Sequence, residues 1–251
     1  HMPLNIPPRF SSAMGGMAFL NANAQVPPNS KREDLFANEV LAGNVPEFMR
    51  SFVDVTSKVG NDTLIYYVLP DFLCIGANDD FAHIPLEPGT ARKIADSLGC
   101  MLPTPKMAYQ IWQSSSAKLT PSPNGPPYTG VQQLTSKLIE SELRIKKQMS
   151  GIQLGSLVAG HKKDVVICKK LTTDASKVAI YGWWYPDGRK IQPLNAFSHD
   201  KFYKDYSHGI RLVSRAAKLN GQDCDLFEVL NSVHSELISD EGPYGAHGIY
   251  V

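Results

Sequence analysis

The chain has 251 residues, 43% of them apolar and 20% charged, with a formal net charge of +1. That mixture is globular, and the length suffices for a core that needs no staples. The near-neutral balance supplies no bulk attraction to nucleic acid or to an anionic membrane, so no nucleic-acid partner is expected. No apolar run reaches the ~18–20 residues of a membrane span.

Four cysteines, Cys74, Cys100, Cys168 and Cys224, show neither a CxxC pair nor zinc-finger spacing, which argues against a structural zinc cluster. Buried free thiols are the expectation, with two disulfides as the alternative in an oxidising compartment. His1-Met2 reads as a cloning remnant, which leaves a removed signal peptide open.

Residues 1–30 are rich in Pro and Gly without periodicity and read as an irregular arm. A helix follows from an N-cap at Ser30, with Leu35, Phe36, Val40 and Leu41 near helical spacing and Gly43-Asn44 as the stop. Two or three strands are expected between 62 and 86, where β-branched and aromatic residues are broken by Pro70 and Gly76. A helix containing Ile94 and Leu98 ends at Gly99, and Thr104-Pro105 starts the next. The loop 117–130 marks a candidate boundary between sub-lobes. Val131, Leu134, Leu138, Ile145 and Met149 predict an amphipathic helix, with Glu140–Arg144 and Glu142–Lys146 pairs on its exposed side.

The second half is strand-rich. "DVVICKKL", "KVAIYGWWY" and "SHGIRLV" read as strands, with a hairpin turn at Asp187-Gly188. "DLFEVLNSVHSELI" reads as a late helix with Phe227, Leu230, Val233 and Leu237 on its inner face. The fold class expected is α+β, as one domain over 31–251. A mostly antiparallel sheet in the C-terminal half packs with helices from the N-terminal half and the C-terminus.

Candidate chemistry gathers in three histidine–aspartate clusters: His161 with Asp164, His199 with Asp200, and Asp205 with His208. On a strand over 206–213, Tyr206, His208, Ile210 and Leu212 would share one face and Ser207, Arg211 and Val213 the other. His208 is the expected general base or acid, oriented by Asp205 or Asp164. Arg211 or Lys163 would stabilise developing negative charge. A zinc ion is an option, with His161, Asp164 and His208 as ligands. Trp183, Trp184, Tyr203, Tyr206 and His199 are the candidate substrate-binding residues. Asp71, Asp79, Asp80 and His83 read mainly as turn residues. GxSxG, HExxH, Walker A and GxGxxG motifs are absent, against α/β-hydrolases, zincins and common nucleotide-dependent enzymes.

"SHGIRLV" resembles the signature of the L,D-transpeptidases, which crosslink peptidoglycan. Ser207, His208, Gly209 and Arg211 match, no cysteine stands between Gly209 and Arg211, and Tyr181 occupies the place of an upstream histidine. The resemblance implies a β-rich site that handles cell-wall material. "KKDVV", "AIYGW" and "DYSHG" in this order are also similar to segments of bacterial proteins, a similarity that implies no activity.

The expected function is therefore a hydrolase or lyase on an extracellular or cell-wall polymer, glycan or peptidoglycan, in a secreted or envelope setting. The alternatives are a non-catalytic glycan-binding module and an intracellular interaction protein with structural histidines.

Overall fold

The computed structural model describes residues 2–245 and 249–251. Among the described residues the α-helices are α1 (Gly16–Ala22), α2 (Ser30–Leu41), α3 (Pro88–Ser97), α4 (Pro105–Ser114), α5 (Thr135–Met149) and α6 (Leu226–Leu230). The strands are β1 (Val53–Val59), β2 (Asp62–Val68), β3 (Cys74–Ala77), β4 (Asp80–His83), β5 (Cys100–Met101), β6 (Ala117–Lys118) and β7 (Val158–Ala159). They continue as β8 (Lys163–Val166), β9 (Ala179–Trp184), β10 (Lys190–Asn195), β11 (His208–Gly209), β12 (Val213–Ser214), β13 (Ala216–Leu219) and β14 (Gln222–Asp225).

Helices and mostly antiparallel sheets occur in blocks, so the fold is α+β. One sheet has the order β14-β13-β2-β12-β5, with β1 also on β2; a second has the order β10-β9-β8-β11. The first draws β1 and β2 from the N-terminal half, so the strands are not confined to the C-terminal half. The pairs β11–β8 and β6–β7 are parallel. No helix among the described residues is long and apolar enough to cross a membrane.

Local signals place several elements. Thr104 Oγ1 accepts a hydrogen bond from the Met107 N–H at 3.1 Å, and Pro105 opens α4 behind that cap. The cap of α2 is Asn29, one residue before the expected Ser30; its side chain accepts from the Lys31 N–H. Gly99, at φ +66°, follows α3 in the left-handed region that glycine adopts readily. The Asp187-Gly188 turn joins β9 to β10 as an antiparallel pair.

Elsewhere tertiary structure overrides the local pattern. The N-terminal arm contains α1, which packs on β3 and β4 and buries Phe19 and Leu20. Its leading N–H groups are met from outside the segment, where Asp80 Oδ1 accepts from the Met17 N–H at 2.8 Å. α5 starts at Thr135, because Gly130–Gln133 forms a 3₁₀ turn and Leu134 is extended. The late helix stops at Leu230 and leaves Val233 90% exposed. Asn231 and Ser232 cause the break: their side chains donate to the carbonyls of Phe227 and Val229 and compete with the helical ladder.

The segment 206–213 is not a single strand. β11 belongs to the second sheet and β12 to the first. Between them, Ile210 and Leu212 offer their carbonyls to the N–H groups of Leu73 and Leu69. The chain therefore crosses between sheets here with its residues buried on all sides, and strict two-residue alternation is lost.

Gly160 turns the chain between β7 and β8 at φ +103°, where a Cβ would collide with the Leu119 carbonyl. Gly160→Ala is expected to cost at least ~1–3 kcal/mol through the left-handed backbone alone. At about 2–4 °C per kcal/mol for a chain of this size, a thermal melt resolves the loss. An unchanged melting temperature would show that the turn relaxes freely.

Candidate active site

β8 and β11 run side by side at the centre of the molecule, with Lys163 opposite His208 and Asp164 opposite Gly209. Adjacent strand residues face opposite ways. Lys163 and His208 belong to one cluster of polar side chains, and Asp164 to another.

The first cluster is partly open. His208 is 1% exposed, and neither ring nitrogen has a hydrogen-bond partner among the described residues. Its Nε2 lies 4.0 Å from Asp205 Oδ1, too far for a hydrogen bond. Asp205 is fixed otherwise. Oδ1 accepts from the Ser207 N–H at 2.8 Å and the Ser207 hydroxyl at 2.5 Å, and Oδ2 accepts from the Tyr203 hydroxyl at 2.7 Å. His199 stacks on Tyr203 with centroids 3.8 Å apart and planes 7° apart. The His208 ring is 6.4 Å from His199 and 5.6 Å from Tyr203. Lys163 Nζ sits over Trp183, 5.1 Å from the ring centroid. Lys163, His199 and Tyr203 are half-buried and form the accessible side.

Burial sets the charges. It pulls the His208 pKa down to about 4, against the opposing charge of Asp205. Burial would raise Asp205, but the charge of His208, the Ser207 hydrogen bond, Lys163 and Tyr203 together hold it at about 2. At neutral pH the pair is thus a neutral imidazole beside a carboxylate. Burial also lowers the Lys163 pKa.

The second cluster is closed. His161 Nε2 lies 2.7 Å and His83 Nε2 2.9 Å from Asp71 Oδ1. His83 Nδ1 lies 2.8 Å from Glu142 Oε1, which also accepts from the His83 backbone N–H. Lys162 Nζ donates to the Tyr206 carbonyl at 2.5 Å and lies 3.2 Å from Glu142 Oε2. Arg211 donates to the carbonyls of Leu69 and Val158 and lies 4.3 Å over the Phe72 ring.

Burial opposes charge on Asp71 and Glu142, yet their neighbours win. His83 and His161 hold Asp71 well below the carboxylate range, and His83 with Lys162 brings Glu142 to about 2. Burial works against His83 as well, but Asp71, Cys74 and Glu142 raise it well above its ordinary value. His161 moves the other way, lowered by burial with Asp71 only partly compensating. Burial raises Asp164 to about 7, offset in part by Arg211.

The expected site residues therefore divide. His208, Asp205, Lys163, His199 and Tyr203 come together, with Trp183 and Tyr206 packed beneath them. His161, Asp164 and Arg211 join the closed cluster. Arg211 is spent on backbone carbonyls and does not stand ready for charge developing at His208. Asp164 does not orient His208. The zinc set His161, Asp164 and His208 is not assembled; the donors that converge among the described residues are Asp71, Cys74 and His83.

Trp183 and Trp184 are both buried, so neither is an exposed stacking surface. Gly182 at φ +102° and Trp183 at φ +61° depart from regular strand backbone, yet the two rings still part, with Trp183 beside Tyr206 and under Lys163. Trp184 packs instead with Tyr109, Trp112 and Tyr181. A non-glycine residue in the left-handed region is strained and persists only where packing dictates it. This one forms the floor under Lys163.

Asp71, His83 and Glu142 were not legible as site residues. Asp71 sits at the bend before β3, but His83 is the last, buried residue of β4. Glu142 read as an exposed partner of Lys146, but it lies on the buried side of α5 with Leu138 and Ile145. The apolar spacing that places Leu138 and Ile145 inward also encloses position 142.

No family model, curated protein or solved structure matches the chain.

Two outcomes are expected. Lys162→Met leaves Glu142 without its ammonium partner and should cost about 3–5 kcal/mol, the usual loss on breaking a buried pair. Chemical denaturation reads it, and a loss below ~1 kcal/mol, the scale of surface pairs, would contradict the geometry. The second concerns pH. His208 is held neutral by the fold, so its contribution is present above ~6.5 and is lost as pH falls toward about 4. The wild type should lose on the order of 3 kcal/mol from this residue over that window. His208→Gln should lack that portion of the slope, and identical slopes would mean that His208 titrates normally.

Proposed function

We propose that the chain is a hydrolase or lyase in which His208 is the general base. The observation that carries this reading is the His208 ring, buried with both nitrogens unpartnered beside a fixed carboxylate and an ammonium. A structural histidine ordinarily finds hydrogen-bond partners; a base needs a free nitrogen at neutral pH.

The roles follow from position. His208 takes a proton from water or from the substrate. Asp205, held by Ser207 and Tyr203, stabilises the imidazolium as it forms without leaving its own hydrogen bonds. Lys163, paired opposite His208 across β8 and β11, offsets negative charge developing on the substrate. The stacked His199–Tyr203 pair borders the half-buried approach and offers an aromatic edge. The substrate class proposed is a cell-wall or extracellular polymer, glycan or peptidoglycan. It rests on the sequence resemblance around Ser207–Arg211 and on that aromatic border.

His208→Ala, assayed on peptidoglycan and on polysaccharide panels, is expected to lower turnover by ~10²–10⁴-fold with the fold retained. The acid limb of kcat/KM should have its midpoint near 4, the value set by burial, rather than near 6.5. Turnover unchanged in His208→Ala would end this assignment. Polymer binding with no turnover in either protein would make the cluster a binding surface instead.

A further inference from the structure

The closed cluster has a feature that His208 chemistry does not use. Cys74 and His83 are directly paired across the β3–β4 hairpin. Asp71 reaches the same point from the turn before β3. One oxygen of Asp71, the Cys74 sulfur and one His83 nitrogen all lie within 4.8 Å of one another, and all three residues are buried.

Two further observations point to a cation ligand at this place. Asp71 Oδ2 is buried without a partner among the described residues, although Oδ1 accepts from the Phe72 N–H at 2.7 Å and lies near two histidines. An orphaned carboxylate oxygen in a dry interior is costly. His83 Nδ1 is engaged by Glu142 at 2.8 Å. In metal sites a carboxylate on one ring nitrogen fixes the tautomer and presents the other nitrogen to the ion.

The geometry points to a divalent zinc-class metal site formed by Asp71, Cys74 and His83, with Glu142 and His161 orienting the ligands. A thiolate, an imidazole and a carboxylate match zinc and disfavour magnesium or calcium, which prefer all-oxygen shells. Loading expels the Cys74 thiol proton and the proton on His83 Nε2. Two protons leave and a divalent cation enters, so the net charge of the cluster is unchanged. A cavity of about 380 Å³, lined by His83 and Glu142 together with Asp79 and Asp80, lies next to the site. The site is independent of His208.

Cobalt(II) titrated into chelator-stripped protein tests this directly. The expected result is saturation at one equivalent, with a thiolate-to-cobalt charge-transfer band and the visible bands of a tetrahedral centre, both removed by zinc. Cys74→Ala should abolish the charge-transfer band and weaken zinc binding by more than ~100-fold, beyond the loss that outer-shell changes produce. Cys100→Ala, Cys168→Ala and His208→Ala should leave both readouts intact. Absence of a thiolate band in the wild type overturns the site, whatever the variants do. So does a band that survives in Cys74→Ala. Loss of turnover in His208→Ala with metal binding unchanged would separate this site from the catalytic assignment.

Discussion

The ammonium of Lys162 holds the centre of the molecule together. It is almost wholly buried, donates to the Tyr206 carbonyl and faces Glu142 of α5. Three segments distant in sequence therefore meet on one cation: the turn into β8, the 203–208 loop and α5. A bare charge would not survive in that interior. Glu142 and Asp71 supply the charge that balances Lys162 and His83, so the network must form as a unit. Gly209 lies against it, and its α-carbon leaves no room for a side chain beside Phe72 and the Lys162 stem.

That clamp explains the two-sided character of the centre. On one side, opposite charges are paired and the ionised forms are held. On the other, the 203–208 loop is pinned by Lys162 at one carbonyl and by Lys204 at the opposite end, where its ammonium meets Glu87 and the Pro28 carbonyl. Asp205 consumes its acceptor capacity on Ser207 and Tyr203, within its own loop. His208 is left buried and unpartnered, and its neutral form is the stable one. His83 and His208 are equally buried, and the opposite directions of their pKa shifts come from their partners rather than from depth.

Backbone geometry carries part of the same design. Gly160, Gly182 and Trp183 all have positive φ, and all lie on or beside the strands that present the two clusters. The two glycines adopt this region readily, whereas at Trp183 it is held by surrounding contacts and not by local preference. Trp183 in particular is placed where its ring supports Lys163, in a conformation that few large side chains adopt.

Much of the scaffold is legible in local signals. Thr104-Pro105, Gly99, Asp187-Gly188 and the apolar spacing of α5 each act over a few residues, through caps, turns and one buried face. The gathering of His208, Asp205, Lys163, His199 and Tyr203 was visible in part, because four of the five lie within ten residues. The sequence by itself determined the α+β class, the main helices and the polar character of the 199–208 stretch, since these depend on contacts between near neighbours. Only the tertiary structure decided that His161, Asp164 and Arg211 turn away from His208, that both tryptophans are buried, and that Asp71, His83 and Glu142 converge. Those outcomes depend on crossings between sheets and on charges brought together across as many as ninety positions. No local periodicity encodes which buried charge will meet which.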